Sequence, residues 1–278
     1  MIDYIKELLN EQNIFCFAPI GLSDCKVVRP YLLQTEGIAD GTAFIIAVPY
    51  YTELCDGKRN ISAYAVSRDY HGYFKQLFAN ILPKLKEKYR GNKFAGFADH
   101  SPIAEVEAAA RAGLGIIGDN HMLITEKYSS YVFLGEIITD ISIEVEAKEI
   151  TYCEHCGICM SECPYNKGEC SECLSAVTQK KGELTQSEKS IMKKYGYAWG
   201  CDICQETCPH TISAIKSGSI YSPIEYFRVG ATPLINKATV EKMSADEFSL
   251  IAYSWRGKET ILRNLSLFET VEDIVNGE

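Results

Sequence analysis

The sequence has no apolar run near the roughly 20 residues that a helix needs to cross a bilayer. The longest obvious run, AFIIAV from Ala43, is typical of a buried strand. Basic residues form only short segments such as KEKYR near Lys86, and the net charge is -9. Membrane insertion is therefore excluded, and the acidic balance argues against a dedicated nucleic-acid binder, which usually presents a basic face.

Targeting and repeat signals are also missing. The N-terminal stretch MIDYIKELLNEQN is charged and amphipathic, without the apolar core of a secretory signal, so we expect a cytoplasmic protein. The sequence contains no internal repeat and no low-complexity linker. Its 278 residues, 46% of them hydrophobic, are enough for one large or two modest domains with a real core.

Cysteine, in contrast, is abundant and ordered. Seven of the twelve cysteines form two runs, each ending in Cys-Pro. The first run contains Cys153, Cys156, Cys159 and Cys163, and the second contains Cys201, Cys204 and Cys208. This spacing is typical of proteins that hold two 4Fe-4S clusters, in which the cysteine before proline ligates the other cluster. The runs therefore predict a protein that transfers electrons.

Two such clusters need eight thiolates, and the runs supply seven. Cys170 or Cys173, between the runs, should complete the second cluster with Cys163, Cys201 and Cys204, while Cys208 completes the first with Cys153, Cys156 and Cys159. Structural zinc is the alternative, but four-ligand zinc sites do not require a third cysteine at the next step or a Cys-Pro end. A disulfide framework belongs to small secreted chains.

The remaining pattern predicts an α+β or α/β fold. Helical and strand patterns alternate through residues 1–148, with a long helix from Tyr70 to Tyr89 and two strands between His121 and Thr139 that turn at Ser129 and Ser130. Residues 149–217 form the cluster domain, in which metal rather than a core dictates the turns. Residues 218–278 are predicted to be a helical segment that packs on the rest.

One glycine motif needs care. Gly113, Gly115 and Gly118 fit G-x-G-x-x-G, but the dinucleotide fingerprint must follow a strand and open a helix. Here a helical pattern precedes the glycines and a strand pattern follows them. The motif predicts a tight helix-to-strand turn or a close approach to a large planar ligand, and not a nicotinamide site.

Several segments together, in order and spacing, resemble the epoxyqueuosine reductases. The matching segments are ISAYAVSRDYH from Ile61, FADHSP from Phe97, ARAGLGIIGDN from Ala110, FLGEIITD from Phe133, the first cysteine run, ECLSAVT from Glu172, GCDICQETCPHT from Gly200 and SWRGKETILRN from Ser254. The resemblance implies a cobalamin-binding α/β domain, a ferredoxin-like domain with two 4Fe-4S clusters and a short helical tail. It also implies that Cys173 is the eighth ligand.

The resemblance further implies a reductase in which electrons pass from the clusters to cobalamin and remove the epoxide oxygen of epoxyqueuosine in tRNA. Asp99 matches the proposed proton donor, since cleavage of a C–O bond leaves an oxyanion; the alternative is that Asp99 caps the next helix. Asp69, Tyr70 and His71 match a polar segment near the substrate or cofactor, or else they start a helix. Gly113, Gly115, Gly118 and Asn120 are expected in the same vicinity.

The chain departs from the family at positions that carry positive charge. Val106 replaces a basic residue, Asp119 replaces a lysine, and we expect a short member without the helical-repeat extension that helps longer members grip tRNA. Binding of tRNA phosphates should be weaker as a result. The prediction is therefore a reductase of epoxyqueuosine or of a smaller substrate, supplied by a low-potential donor of the ferredoxin or flavodoxin type. The alternative is an iron-sulfur protein that reduces a partner such as a corrinoid enzyme.

Overall fold

The computed structural model describes residues 1–268. In it the AFIIAV run forms β2 (Thr42–Pro49), and every residue of this strand is buried. Strand β1 (Cys16–Gly21) pairs with one edge of β2 and β6 (Val132–Thr139) pairs with the other. Strand β3 (Phe94–Phe97) completes a four-stranded antiparallel sheet in the order β1-β2-β6-β3. The predicted mixture of helices and strands is confirmed, and this sheet is wholly antiparallel.

Helices cover this sheet and connect its strands: α1 (Ile2–Asn10), α2 (Pro30–Glu36), α3 (Tyr70–Lys88) and α4 (Glu105–Arg111). The long helix α3 carries Pro83, as the sequence predicts. Its Phe74 ring lies directly over Gly135 of β6, and a side chain at that glycine would clash with it. Glycine in FLGEI is therefore required for helix and sheet to approach this closely.

A second, two-stranded antiparallel sheet follows α4. It contains β4 (Ile116–Ile117) and β5 (Leu123–Ile124). Helix α4 precedes the G-x-G-x-x-G motif and β4 lies within it, so the predicted helix-to-strand order is confirmed. The two predicted strands between His121 and Thr139 are β5 and β6. The segment between them turns where the Thr125 hydroxyl donates to the Ser129 carbonyl, at 3.0 Å.

The chain divides into two units. The first comprises Met1–Tyr50, Tyr70–Cys156 and Ser213–Ile224, and the second comprises Tyr51–Asp69, Gly157–Ile212 and the described residues from Glu225. These units differ from the predicted boundaries after residues 148 and 217. The segment 51–69 belongs to the second unit because Ile61 forms a β-bridge with Trp199 and the Asn60 amide bonds the Ile235 backbone.

The second unit is helical. Its helices are α5 (Ile158–Glu162), α6 (Leu174–Gln179), α7 (Gln186–Tyr195), α8 (Ile203–Glu206), the start of α9 (Pro209–Ser217), α10 (Lys237–Lys242), α11 (Ala245–Ser249) and α12 (Lys258–Leu265). Leu174, Val177, Ile191 and Met192 form its buried apolar cluster between α6 and α7. The predicted C-terminal segment includes α10, α11 and α12. Its role as a separate segment that packs on the rest stays a prediction, and its residues 269–278 lie outside the described residues. Among the described helices, none combines the length and apolar character needed to cross a membrane.

Candidate functional site

Asp99 lies at the centre of a tight turn directly after β3. Its φ of 63° is in the left-handed region, which costs energy for any residue other than glycine. The His100 N–H donates to the Ala98 carbonyl at 2.7 Å and closes the turn. Since α4 begins only at Glu105, with Ala104 as its N-cap, Asp99 does not cap that helix. The N-cap alternative for Asp99 is therefore wrong.

His71 is the polar neighbour of Asp99. Its Nε2 atom lies 3.5 Å from Asp99 Oδ2, and both side chains are more than half exposed. Tyr70, the first residue of α3, stacks on Phe133 with ring centroids 4.3 Å apart. The first unit thus brings His71, Asp99 and an aromatic stack onto one surface. Since the Asp99 side chain is 64% exposed, the dehydration that a general acid needs has to come from a bound group.

Asp69 has a different environment from Tyr70 and His71. It belongs to the second unit, where its N–H donates to the Leu250 carbonyl at 2.9 Å and its carbonyl accepts from the Tyr226 hydroxyl at 2.8 Å. Both bonds use backbone atoms of Asp69. These contacts explain its position in the fold, and a role for its carboxylate stays a prediction.

Two carboxyl groups in the same unit as Asp99, one fully buried and one partly buried, escaped sequence reasoning. Glu105 Oε1 accepts the Asp99 N–H at 3.2 Å, and Glu136, fully buried in β6, accepts the Ser101 hydroxyl. Burial raises the pKa of Glu105 to about 7 and raises the pKa of Glu136 well above its usual range. Glu136 could have been suspected from the sequence, since a lone acid interrupts the apolar strand FLGEII.

The glycines of G-x-G-x-x-G fit the chain's own packing. A side chain at Gly115 would meet the Ile124 carbonyl, and one at Gly113, where φ is 83°, would meet Lys148. Asn120 Oδ1 accepts the Met122 N–H at 3.2 Å and fills the space beside Gly118. The helix-to-strand turn therefore accounts for these residues, and their contact with a ligand stays a prediction.

Four of the predicted cluster ligands, Cys163, Cys173, Cys201 and Cys204, all belong to the second unit. Burial raises the pKa of Cys204 to about 12, and negative charge on Cys163 and Cys173 raises it further. Negative charge on Cys173 and Cys204 likewise raises the pKa of Cys201. Because such effects require proximity, these thiols lie close together. The group has the composition of a site for a 4Fe-4S cluster.

The other spare cysteine has neighbours of a different kind. Cys170 packs against the apolar cluster that contains Leu174 and Val177. Burial raises the pKa of its thiol, and the charges on Cys163 and Cys173 contribute. Both spare cysteines are thus near Cys163, but the charge on Cys173 also raises the pKa of Cys201 and the pKa of Cys204. This supports Cys173 as the ligand, and the choice stays a prediction.

The ligands predicted for the first cluster divide between the units. Cys153 and Cys156 belong to the first unit, and Cys159 and Cys208 to the second. In the first unit the Cys153 N–H donates to the Ile117 carbonyl at 3.0 Å, which fixes the start of the first run beside β4. His155 Nδ1 lies 2.7 Å from Asp119 Oδ1, so the residue that replaces a family lysine has a partner within its own unit.

A buried ion pair holds the loop of the second cysteine run. Asp202 follows Cys201 in the sequence, precedes Ile203 and is fully buried. Its carboxylate accepts hydrogen bonds from Arg59 Nη2 at 3.1 Å and from the Ala63 N–H at 2.6 Å. The Ser62 hydroxyl and the Gln205 amide also donate to its carboxylate. The sequence reasoning missed this network, although an aspartate inside a cysteine run is visible in the sequence.

Comparisons with known proteins agree with this description. No family model matches the chain. The epoxyqueuosine reductase of Gloeobacter violaceus is 32% identical over 191 residues, which are 66% of this chain and 60% of the relative. That of Lactococcus garvieae is 31% identical over 206 residues, which are 71% of this chain and 57% of the relative. The chain belongs to the epoxyqueuosine reductase family.

Solved structures extend the likeness to the fold. The structure of the epoxyqueuosine reductase from Streptococcus thermophilus superimposes with a TM-score of 0.76 at 24% identity, over 96% of this chain and 80% of that one. An epoxyqueuosine reductase with a tRNA-Tyr stem loop gives a TM-score of 0.70 at 22% identity, over 96% and 80%. By sequence, the chain spans about 60% of the curated relatives in this family.

Proposed function

We propose that this chain is an iron-sulfur, cobalamin-dependent reductase that removes the epoxide oxygen of epoxyqueuosine. The observation that carries the proposal is the group of four thiols at Cys163, Cys173, Cys201 and Cys204 in one unit of a chain with this family's sequence. Thiolates in this number and spacing hold 4Fe-4S clusters, which transfer electrons. A reductase that uses them needs a donor, which we take to be of the ferredoxin or flavodoxin type.

The ligand sets follow from the cysteine runs. Cys153, Cys156, Cys159 and Cys208 would hold one 4Fe-4S cluster, and Cys163, Cys173, Cys201 and Cys204 the other. Desolvation and mutual repulsion raise the pKa of Cys201 and Cys204 in the protein without iron. Iron would reverse this, because a bound metal cation stabilises the thiolate form. The donor set therefore fits the cluster.

Cobalamin is proposed for the first unit. When bound, it supplies the two-electron reduction that breaks a carbon–oxygen bond. The residues that fit it are Asp99, His71 and the stacked rings of Tyr70 and Phe133. The two polar side chains are exposed, and the two aromatic residues are partly buried. A large planar group bound over these residues would remove water from Asp99 and strengthen its hydrogen bonds.

Asp99 is the proposed proton donor. Conversion of the epoxide to an alkene takes up two electrons and two protons and releases the oxygen as water. Asp99 would give a proton to the oxygen as the first C–O bond breaks, and the second proton would come from solvent. His71, 3.5 Å away, would orient the Asp99 carboxyl. One solved structure of a Bacillus subtilis epoxyqueuosine reductase is described with a catalytic loop that carries an aspartate swung out of the active site.

The substrate is proposed to be epoxyqueuosine in a tRNA stem loop. A solved epoxyqueuosine reductase contains such a stem loop. Val106 and Asp119 occupy positions where the resemblance leads us to expect basic residues, so the phosphate contacts should be fewer here. A smaller epoxide or another reducible molecule would need no such contacts. Comparing the stem loop with the free modified nucleoside separates the two substrates.

The deciding experiment is metal analysis and turnover in the absence of oxygen. After reconstitution with iron, sulfide and cobalamin, about eight irons and one cobalt per chain are expected. With a low-potential donor, the modified stem loop should be converted to the queuosine form. Eight irons without cobalt would contradict the reductase and favour an electron-transfer protein that reduces a partner.

A further inference from the structure

Two carboxyl groups from different elements hold the Asp99 loop. Glu105 opens α4, and its Oε1 accepts the backbone N–H of Asp99 at 3.2 Å. Glu136 lies in β6 and accepts the hydroxyl of Ser101, two residues after Asp99. The Ser101 Oγ in turn accepts the Ile103 N–H at 3.1 Å. The loop is thus fixed on both sides of Asp99 by acids that the cofactor and cluster assignments leave without a role.

The sheet register explains why Glu136 is so close. It pairs with Phe97 of β3 on one side and with Ile45 of β2 on the other. Phe97 precedes Asp99 by two residues, so Glu136 lies beside the end of β3. The residue is 0% exposed, and within residues 1–268 its Oε2 has no hydrogen-bond partner. An ionised carboxylate in such a place would be strongly destabilised.

The charged neighbours of the pair are few. Burial raises the pKa of Glu105 to about 7, with a smaller contribution from the Asp99 charge, while the hydrogen bond from the Asp99 N–H and the Arg29 guanidinium lower it. Glu105 and burial raise the pKa of Glu136. Cys25, itself with a raised pKa, also faces Glu136. Arg29 donates to the Ser101 carbonyl at 2.8 Å, so the guanidinium that lowers the pKa of Glu105 also binds the loop.

We propose that Glu105 and Glu136 hold one proton between them at neutral pH and are the positioning residues of Asp99. This inference rests on the proposed function for the role of Asp99, but the protonation of the pair can be measured without it. Glu136 carries the proton and keeps Ser101 in place. Glu105, as the carboxylate, is the strong acceptor that maintains the left-handed turn at Asp99.

The different protonation states of Glu136 and Glu105 follow from hydrogen-bond chemistry. A protonated Glu136 still accepts the Ser101 hydroxyl at Oε1, and its proton is on Oε2, which has no hydrogen-bond partner within residues 1–268. If both acids were ionised, two negative charges would repel each other in a dehydrated site. If both were protonated, the Asp99 N–H would lose its charged acceptor. Turnover should therefore rise with pH as Glu105 ionises, around its pKa of about 7.

Infrared spectroscopy of the full chain tests the shared proton. At neutral pH the wild-type chain should show the carbonyl band of a protonated carboxyl group. The Glu136→Gln variant, which keeps the size and the acceptor for Ser101, should lack this band. Glu107→Gln, in the same helix as Glu105 but outside the pair, should retain it. A wild-type spectrum without the band, or a band that survives in Glu136→Gln, would overturn the proposal whatever the enzyme reduces.

The positioning role needs a kinetic readout. Glu105→Gln keeps an acceptor oxygen but no charge, and it should lower kcat about tenfold with little change in KM, the usual effect of one hydrogen bond to a charged acceptor. It should also remove the rise of turnover between about pH 6 and 8. Equal pH profiles for Glu105→Gln and wild type would contradict positioning by Glu105. If no variant or wild type turns over, the proposed function fails, and the infrared result still decides on the pair.

Discussion

Arg59 and Asp202, 143 residues apart in the sequence, form a buried ion pair with 3.1 Å between Nη2 and Oδ2. The Asp202 side chain is 0% exposed and that of Arg59 is 7% exposed. The pair ties the loop of Cys201 and Cys204 to the segment 59–63 within the second unit. A cluster loop has few apolar contacts of its own, so a buried ion pair can supply the rigidity that metal ligands require.

Replacement of Asp202 by alanine should lower the free energy of unfolding by about 3–5 kcal/mol, because the buried Arg59 guanidinium loses the buried one of its two carboxylate partners. Denaturant unfolding of the iron-loaded chain under anaerobic conditions measures it. The control is Glu206→Gln, since the Glu206 side chain, which also contacts Arg59, is 42% exposed. This change should cost about 1 kcal/mol or less. Equal losses of unfolding free energy in the two variants would show that the buried ion pair contributes no more to stability than the exposed contact.

Cys173 and Cys170 provide a matched pair for the cluster assignment. Cys173→Ser should reduce the iron content from about eight to about four atoms per chain, because the second cluster loses a ligand. Cys170→Ser should retain about eight, since Cys170 packs against an apolar cluster. Iron analysis together with electron paramagnetic resonance of the reduced protein checks both. If Cys170→Ser lost about four irons and Cys173→Ser retained about eight, Cys170 would be the ligand.

Asp99→Asn should reduce turnover by about 10²- to 10⁴-fold, because asparagine preserves the shape but cannot donate the carboxyl proton. Iron and cobalt content should stay unchanged. Asp140→Asn is the control: its carboxylate lies in the same unit and accepts the Lys93 N–H at 3.0 Å. Single-turnover rates under anaerobic conditions measure the effect. Wild-type rates in Asp99→Asn would show that the proton comes from elsewhere.

Glu105 should make the stability of the chain depend on pH. Its pKa is about 7 in the folded chain against 4.5 ordinarily, so the folded state keeps a proton that the unfolded chain releases between these values. The free energy of unfolding should therefore fall as the pH rises from about 4.5 to 7. We expect a fall of about 1–3 kcal/mol, since the group is partly exposed.

Denaturation of wild type and Glu105→Gln across this pH range measures the contribution. The variant should show the smaller slope and should be the more stable protein above about pH 7. Glu107→Gln, two residues later in α4, should keep the wild-type slope. A wild-type slope in Glu105→Gln would mean that another group titrates.

Asn264 anchors α12 to the second unit. Its fully buried amide donates to the carbonyls of Thr178 at 2.6 Å and Ala198 at 2.8 Å. Asn264→Ala leaves both acceptors unsatisfied and should cost about 1–3 kcal/mol of unfolding free energy. The exposed Glu259 on the same helix gives the control, and Glu259→Gln should be close to neutral. Thermal and denaturant unfolding compare them, and a neutral Asn264→Ala would show that water replaces the amide.

Periodicity predicted the regular elements well where a strong pattern covers many residues. The buried run of β2 and the long helix α3 are both where the sequence places them. The short strands β4 and β5 have only two residues each, and such short apolar runs specify their ends poorly in a sequence. The unit boundaries were also out of reach, since the segment 51–69 pairs with residues more than 100 positions later.

The sequence by itself indicated the electron-transfer chemistry that we propose. Cluster ligation depends on the spacing of thiols along a local chain, and the cysteine runs state that spacing directly. Only the tertiary structure decided which groups control Asp99. Glu105 and Glu136 are 31 residues apart and look like a helix start and a strand interior. Antiparallel pairing of β3 with β6 places Glu136 beside the end of β3, while Glu105 accepts the Asp99 N–H from α4. Their burial, which sets their protonation, arises from packing that no local pattern records.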